Sequence, residues 1–132
     1  MTIEDKLLLI KDLSARLPYG VEVEHTKTKM RGVLHEIRVY PKYDDNDVIY
    51  DAICYTDFFG DGDLFDITMF KPFLFPMDNM TDEQCDEWVQ ASIDDEYGEK
   101  SIEWLRKNHF DFMGLIPKDL AIDATGKNIY GI

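Results

Sequence analysis

The sequence predicts a single α+β domain over residues 1–132, with an N-terminal helix, a four-stranded and mainly antiparallel sheet, and two C-terminal helices packed on that sheet. An amphipathic pattern at three- and four-residue spacing opens the chain, four alternating or apolar segments follow, and two more helical patterns come last. The chain has 45% hydrophobic and 13% aromatic residues. This composition is enough to fill a core and argues against disorder.

Residues 2 to 17 are predicted to form the first helix. The hydroxyl of Thr2 can cap free N–H groups, and Asp5 suits the positive end of the helix dipole. Pro18 and Gly20 are expected to end the helix. Its apolar stripe is Ile3, Leu7, Ile10, Leu13 and Leu17.

The middle of the chain carries strand patterns, in which apolar residues alternate with polar ones or run together. The predicted strands are Val21–Thr26, Val33–Tyr40, Val48–Thr56 and Leu64–Phe70. Lys27-Thr28-Lys29 is the expected hairpin tip, and Pro41 is expected to stop the second strand. The third strand is apolar on both faces, as in a central strand. Pro72 and Pro76 are expected to bracket an apolar crossing.

Two helices are predicted near the C-terminal end. Thr81 begins the first of them, and Gln84 stands where it completes a capping box. Gly98 separates this helix from a short one that runs from Ile102 to about Asn108. The residues expected on the inner stripe of the first are Cys85, Trp88, Val89, Ser92 and Ile93, and those expected to face water are Asp82, Glu83, Asp86, Glu87 and Gln90.

The formal net charge of −13 is distributed unevenly along the chain. Residues 1–43 hold 8 Lys or Arg against 6 Asp or Glu, and residues 100–132 hold 5 against 4. Residues 44–99 hold Lys71 alone against 17 acids. This acidic block repels phosphates, so direct nucleic-acid binding through residues 44–99 is not expected. The block is either a docking surface for a basic partner or an ordinary solubilising surface.

The cysteine content and the N-terminal segment indicate a soluble, cytoplasmic protein. Cys54 and Cys85 are too few for a disulfide framework and lack the spacing of a zinc site, so both are interpreted as buried small hydrophobes. Charged residues interrupt the apolar run at the start, unlike in a signal peptide. No apolar stretch is long enough for a membrane span.

The segment from Asp57 to Asp66 is the most distinctive candidate site. Its acids, Asp57, Asp61, Asp63 and Asp66, suggest calcium, but their spacing differs from an EF-hand and no Glu closes the loop. A solvated glycine-rich turn is the favoured interpretation. Two adjacent aromatic residues, Phe58 and Phe59, cannot easily both point inward, so one is a candidate anchor for a partner.

The histidines give little indication of catalysis. His25 is predicted to be exposed, His35 to be a hydrogen-bonded core residue, and His109 to have a capping or packing role after the last helix. The sequence contains no nucleophile elbow and no phosphate loop. Whether the protein is an enzyme stays open, although the sequence favours a non-enzymatic role, and no cofactor is expected.

Three segments carry a resemblance that covers most of the chain. They are LIKDLSARLPYGVEVE, FKPFLFPMDNMT and IEWLRKNHFDFMGLIPKDLAIDA. They resemble an uncharacterised small-protein family of gut anaerobic bacteria and their phages and mobile elements. The resemblance implies an accessory protein, and a regulatory or anti-defence role would fit it. It implies no catalytic motif and no functional residue.

Taken together, these patterns favour a non-enzymatic domain that binds another macromolecule, with a basic protein as its partner. The residues assigned to partner binding are Asp57, Phe58, Phe59, Asp61, Asp63 and Asp66. The alternative is a small-molecule or metal-binding domain that uses the Asp57–Asp66 turn and a nearby histidine. The identity of the partner and the oligomeric state are open.

Overall fold

A computed structural model describes residues 2–44, 47–56, 65–93, 95 and 97–130, with the backbone alone at 41–44, 47–55 and 65. The predicted α+β class is confirmed, as are the N-terminal helix and the two later helices. The helices are α1 (Ile3–Arg16), α2 (Asp82–Ser92) and α3 (Glu99–Lys107). The strands are β1 (Glu22–His25), β2 (Arg31–Asp44), β3 (Asp47–Thr56), β4 (Phe65–Asp66), β5 (Phe70–Pro76), β6 (Phe110–Asp111) and β7 (Ile122–Asp123).

The strands form one sheet in the order β4-β3-β2-β1-β5-β6, and β7 also pairs with β5. The pairs from β4 to β5 are antiparallel, whereas β6 and β7 lie parallel to β5. The sheet is therefore mainly antiparallel, as predicted, with short strands that the sequence did not indicate. β5 passes through both Pro72 and Pro76, where the sequence predicted only a crossing.

α1 begins and ends as predicted, but its buried face is shifted. The Thr2 Oγ1 accepts a hydrogen bond from the Asp5 N–H at 3.0 Å, and Gly20 takes a positive φ of 69° that suits glycine. Ile3 and Leu7, both predicted on the apolar stripe, are 60% and 40% exposed. The buried residues of the helix are Leu9, Ile10, Asp12, Leu13 and Arg16. An ion pair therefore occupies part of the face that apolar residues were expected to fill.

The core lies between α1, the central strands and the segment after β6. It is apolar and tightly buried, as expected for a domain of this size. Its main members are Leu9, Leu13, Val21, Val23, Leu34, Ile67, Phe70, Leu74, Leu115 and Leu120. This core holds α1 and the C-terminal segment on the middle of the sheet.

β2 is longer than predicted because Pro41 does not stop it. β1 pairs with β2 only from Arg31 to Val33, while β3 pairs with β2 as far as Asp44. On its β1 side, Pro41 therefore has no strand neighbour among the described residues. A proline is tolerated at such an edge because its missing N–H takes no bond from the sheet.

The predictions for His25 and His35 are both wrong. His25 is only 3% exposed, since β1 lies inside the sheet, and its Nδ1 accepts hydrogen bonds from the N–H groups of Lys27 and Thr28 at 3.3 and 3.2 Å. His35 is exposed. A register shift between Leu34 and Glu36 interrupts the alternation of β2 at that residue.

Candidate functional site

α2 is fixed at its N-terminus by the predicted capping box. The Thr81 N–H donates to Gln84 Oε1 at 2.9 Å, and the Gln84 N–H donates to Thr81 Oγ1 at 3.1 Å. The helix packs against α3, whose own Leu105 is buried and whose Trp104 ring stacks on Phe110 with centroids 5.8 Å apart. α2 therefore lies mainly against α3.

The inner stripe predicted for α2 is wrong. The helix contains no buried residue. Val89 is 50% exposed, the C-cap residue Ile93 is 53% exposed, and Cys85 is exposed rather than buried. Only Trp88 among the predicted stripe residues is half-buried. The apolar residues at i, i+4 spacing thus face solvent.

The acidic residues of α2 lie beside these exposed apolar residues. The exposed carboxylates on the helix are Asp82, Glu83, Asp86 and Glu87. Helical spacing places Asp82 and Asp86 on the same side as Val89 and Ile93. Residues 72–99 hold nine Asp or Glu and no Lys or Arg. We call Asp82, Glu83, Asp86, Glu87, Val89 and Ile93 the acidic α2 surface.

The electrostatic field of this surface is not neutralised locally. In the part of the chain that the structure describes, no salt bridge reaches any of its four carboxylates. Just beyond the helix, the Asp95 carboxylate accepts a hydrogen bond from the Ser101 N–H at 3.0 Å, and backbone donors at the start of α3 hold the pKa of Asp95 below its usual value.

The residues that the sequence assigned to partner binding fall mostly outside the described part of the chain. The residues outside it are Asp57, Phe58, Phe59, Asp61 and Asp63. The metal and docking hypotheses for these residues stay predictions. Asp66 is described. Its Oδ1 accepts hydrogen bonds from the Thr68 N–H at 2.8 Å and the Thr68 hydroxyl at 2.7 Å, so it caps the turn before β5.

A second group of polar residues is buried between α1 and the C-terminal segment. Arg16 is fully buried, and its Nε donates to Asp12 Oδ2 at 2.9 Å while its Nη2 donates to the Phe110 carbonyl at 2.5 Å. The Asp111 carboxylate accepts from the N–H groups of Leu115 and Ile116, both at 2.9 Å. These bonds tie α1 to the turn that follows β6.

His109 and Tyr130 complete this buried group. The two rings stack at 3.6 Å, and His109 has a positive φ of 63°. Burial, assisted by the charge of Arg16, lowers the pKa of His109 to about 4. The Tyr130 hydroxyl donates to the Phe73 carbonyl at 2.7 Å and accepts from the Glu22 N–H at 3.1 Å, and burial raises its pKa. The packing role predicted for His109 agrees with this geometry.

An apolar depression lies elsewhere, between α1 and β2. It has a volume of about 500 Å³ and is lined mainly by Leu7, Leu8, Ile10, Val39 and Met113. Glu4 and Lys11 stand at its rim. Its charges are balanced, so it lacks the electrostatic preference of the acidic α2 surface.

The fold and this surface define a small α+β domain that presents an acidic helix to solvent. No protein-family model matches the chain, and neither a curated protein nor a solved structure is similar to it. Within the described residues, no group of three or more His, Cys, Asp or Glu side chains could hold a metal ion. No described helix has the length and apolar composition that a membrane crossing requires.

Sequence reasoning missed the buried ion pair and the exposure of the apolar residues of α2, although each left a signal. Asp12 and Arg16 are four residues apart on the helix face of Leu9 and Leu13, which is the spacing of an ion pair. The acids of α2 were expected on its outer face. Its apolar stripe was assigned inward because such stripes usually pack on a core.

Proposed function

We propose that the protein is a non-enzymatic, acidic protein-interaction domain that acts in the cytoplasm. Its docking site is the acidic α2 surface, and its partner is a basic protein segment with an apolar side. The observation that carries the proposal is a helix with no buried residue, four exposed acids and exposed Val89 and Ile93.

Charge determines which partner fits this surface. The four carboxylates attract a basic segment electrostatically, and the field of the neighbouring acidic residues accelerates its association with the surface. The same field disfavours nucleic acid, since phosphates would be repelled. Val89 and Ile93 supply apolar area that a partner can cover, which stabilises the complex at high salt as well.

The residues assigned to partner binding from the sequence form a second candidate docking segment in the proposal. Asp57, Phe58, Phe59, Asp61 and Asp63 lie in the same acidic block of sequence as α2. The resemblance to proteins of phages and mobile elements suggests that the partner is a regulatory or defence protein of a bacterial host. The small-molecule or metal alternative depends on the Asp57–Asp66 turn, in which Asp66 Oδ1 already accepts hydrogen bonds from the N–H and the hydroxyl of Thr68.

A defined peptide tests the docking site. The probe is a fluorescent amphipathic helix with lysines flanking leucines at i, i+4 spacing, beside a scrambled peptide of the same composition. Binding is measured by fluorescence anisotropy as a function of salt. We expect the patterned peptide to bind more tightly than the scrambled one, and salt to weaken both.

Two variants with the same change in charge locate the site. One carries Asp82→Asn, Glu83→Gln, Asp86→Asn and Glu87→Gln, and the other carries Asp57→Asn, Asp61→Asn, Asp63→Asn and Asp66→Asn. We expect at least about a tenfold loss of affinity for the α2 variant, or about 1.4 kcal/mol, and a smaller loss for the other. Equal losses would show that only net charge matters. A larger loss in the second variant would place docking at the Asp57–Asp66 turn.

A further inference from the structure

Two adjacent depressions lie along α1. The apolar depression between α1 and β2 is lined in part by Lys11 and Met113, and the same two residues line a second pocket of about 180 Å³. The other residues of the second pocket are Asp12, Arg106 and Phe112. Because the two depressions share Lys11 and Met113, they form one groove, which is apolar along α1 and charged beside α3. We call it the α1 groove.

The two cations of the second pocket have no carboxylate partner. In the part of the chain that the structure describes, no salt bridge involves Lys11 or Arg106. Lys11 is exposed, and the guanidinium carbon of Arg106 lies 5.7 Å from the centroid of the Phe112 ring. This contact with the ring positions the guanidinium without using its N–H donors for a carboxylate.

The acids closest to the second pocket are bonded to other groups. Asp12 Oδ2 accepts a hydrogen bond from Arg16 Nε at 2.9 Å, and the Asp111 carboxylate accepts from two backbone N–H groups. Glu103, on the same helix as Arg106, accepts from the Tyr19 hydroxyl at 2.6 Å. The positive charges of Lys11 and Arg106 are therefore available to an anion that enters the groove.

The apolar part of the groove exposes large side chains. Leu7 is 40% exposed and Val39 is 43% exposed, and both line the depression of about 500 Å³. A cleft of this size, with mainly apolar walls and a few polar groups at one point, is typical of a small-molecule site. The ligand that fits such walls is one with an apolar portion that covers them.

The charges along α1 give the groove a direction. Glu4 and Lys11 both line the apolar depression, and seven residues of helix separate them by about 10 Å. Their charges balance within this depression, but they stand at its opposite ends. Arg106 adds a second positive charge at the Lys11 end only. An anionic group is therefore attracted to the Lys11 end and repelled from the Glu4 end.

We propose that the α1 groove binds a medium-chain carboxylate. The carboxylate group lies between Lys11 and Arg106, where it accepts charge-assisted hydrogen bonds. The alkyl chain runs along α1 toward Glu4 and covers Leu7 and Val39, over a distance that matches a medium-chain acyl group. This site is separate from the acidic α2 surface, and the proposal does not depend on docking at that surface.

Isothermal titration calorimetry with two amphiphiles of equal chain length tests the proposal. The probes are decanoate and decyltrimethylammonium, both at concentrations below micelle formation. The chain has a net charge of −13, so nonspecific adsorption favours the cationic probe. We expect decanoate to bind saturably, with one site per chain, and at least about tenfold more tightly than the cation. No saturable binding of decanoate, or equal or tighter binding of the cation, would overturn the proposal.

Two variants with the same change in charge locate the carboxylate group. Lys11→Gln removes a cation of the groove, whereas Lys107→Gln removes an exposed lysine that lines neither depression. We expect Lys11→Gln to weaken decanoate binding about fivefold, and Lys107→Gln to leave it unchanged within about twofold. Since both lysines are exposed, neither substitution should disturb the fold. Equal effects of the two variants would show that only net charge matters, contrary to the proposal.

Chain length and a second pair of variants locate the alkyl chain. Decanoate should bind about two- to fourfold more tightly than nonanoate, because one more methylene is covered by the groove. Leu7→Asn should weaken decanoate binding, whereas Ile3→Asn should not, since Ile3 is 60% exposed on the same helix and lies outside the depression. Equal affinities for the two carboxylates, or equal losses in the two variants, would contradict the proposed position of the chain.

Discussion

Arg16 and the acids of α2 are both charged groups on helices, yet the fold places them in opposite environments. Arg16 is fully buried, bonded to Asp12 and to the Phe110 carbonyl. The acids Asp82, Glu83, Asp86 and Glu87 are exposed, on a helix that has no fully buried residue. A buried charge without its partner is costly, whereas an exposed one is solvated. The comparison separates charges that hold the fold from charges that are available to a partner.

The largest expected loss of stability follows from breaking the buried ion pair between Asp12 and Arg16. Arg16→Met leaves the Asp12 carboxylate buried without its partner and removes the bond to Phe110, so we expect a loss of about 3–5 kcal/mol in the free energy of unfolding. Urea denaturation followed by circular dichroism measures it. Adding Asp12→Leu to Arg16→Met should restore part of the loss. If Arg16→Met is as stable as wild type, the pair does not hold the fold.

A loss of stability of intermediate size is expected from the protonation of His109 as the pH falls. Its folded pKa is about 4, below the ordinary value of 6.5. Between these values the unfolded chain binds more protons, so stability falls as the pH is lowered from 6.5 toward 4. The loss is on the order of 2 kcal/mol.

The variant His109→Asn isolates this contribution, because asparagine tolerates the positive φ at this position but does not titrate in this range. Urea denaturation at several pH values should show a weaker pH dependence for the variant than for wild type. Parallel pH profiles for the two proteins would assign the acid sensitivity to other groups.

The smallest change in stability is expected from substitutions of the exposed apolar residues of α2. Val89→Ser together with Ile93→Ser should change the free energy of unfolding by less than about 0.5 kcal/mol, since both residues are about half exposed. Leu105→Ala on the neighbouring helix is the contrast, because Leu105 is buried and its truncation should cost about 2–5 kcal/mol. A large loss from the α2 pair would mean that its apolar residues hold the fold and are not free for docking.

The sequence predicted local structure better than burial. The caps of α1 and α2 were correct because Thr2, Thr81 and Gln84 act within one helical turn. The exposure of His25 and His35 was reversed because it depends on strand order and on a register shift, which no short pattern contains. Strand order is set by contacts far apart in sequence.

The acidic α2 surface was only half predictable. The four acids were expected to face water, and they do. The exposure of Val89 and Ile93 was not expected, since it follows from α2 lying on α3 rather than on the sheet. Periodicity identifies the apolar face of a helix, but the tertiary arrangement decides what covers it.

The position of β5 has a consequence for synthesis. β5 pairs with β1 only at residues 70–72, while β6 and β7, which pair with residues 73–76 of β5, lie at residues 110–111 and 122–123. A ribosome adds about 5–20 residues per second, so the nascent chain carries an uncovered β5 edge for a time on the order of seconds. The apolar segment Phe73-Leu74-Phe75 is then accessible to chaperones or to other nascent chains. Slow translation of residues 77–110 should therefore lower the yield of folded protein.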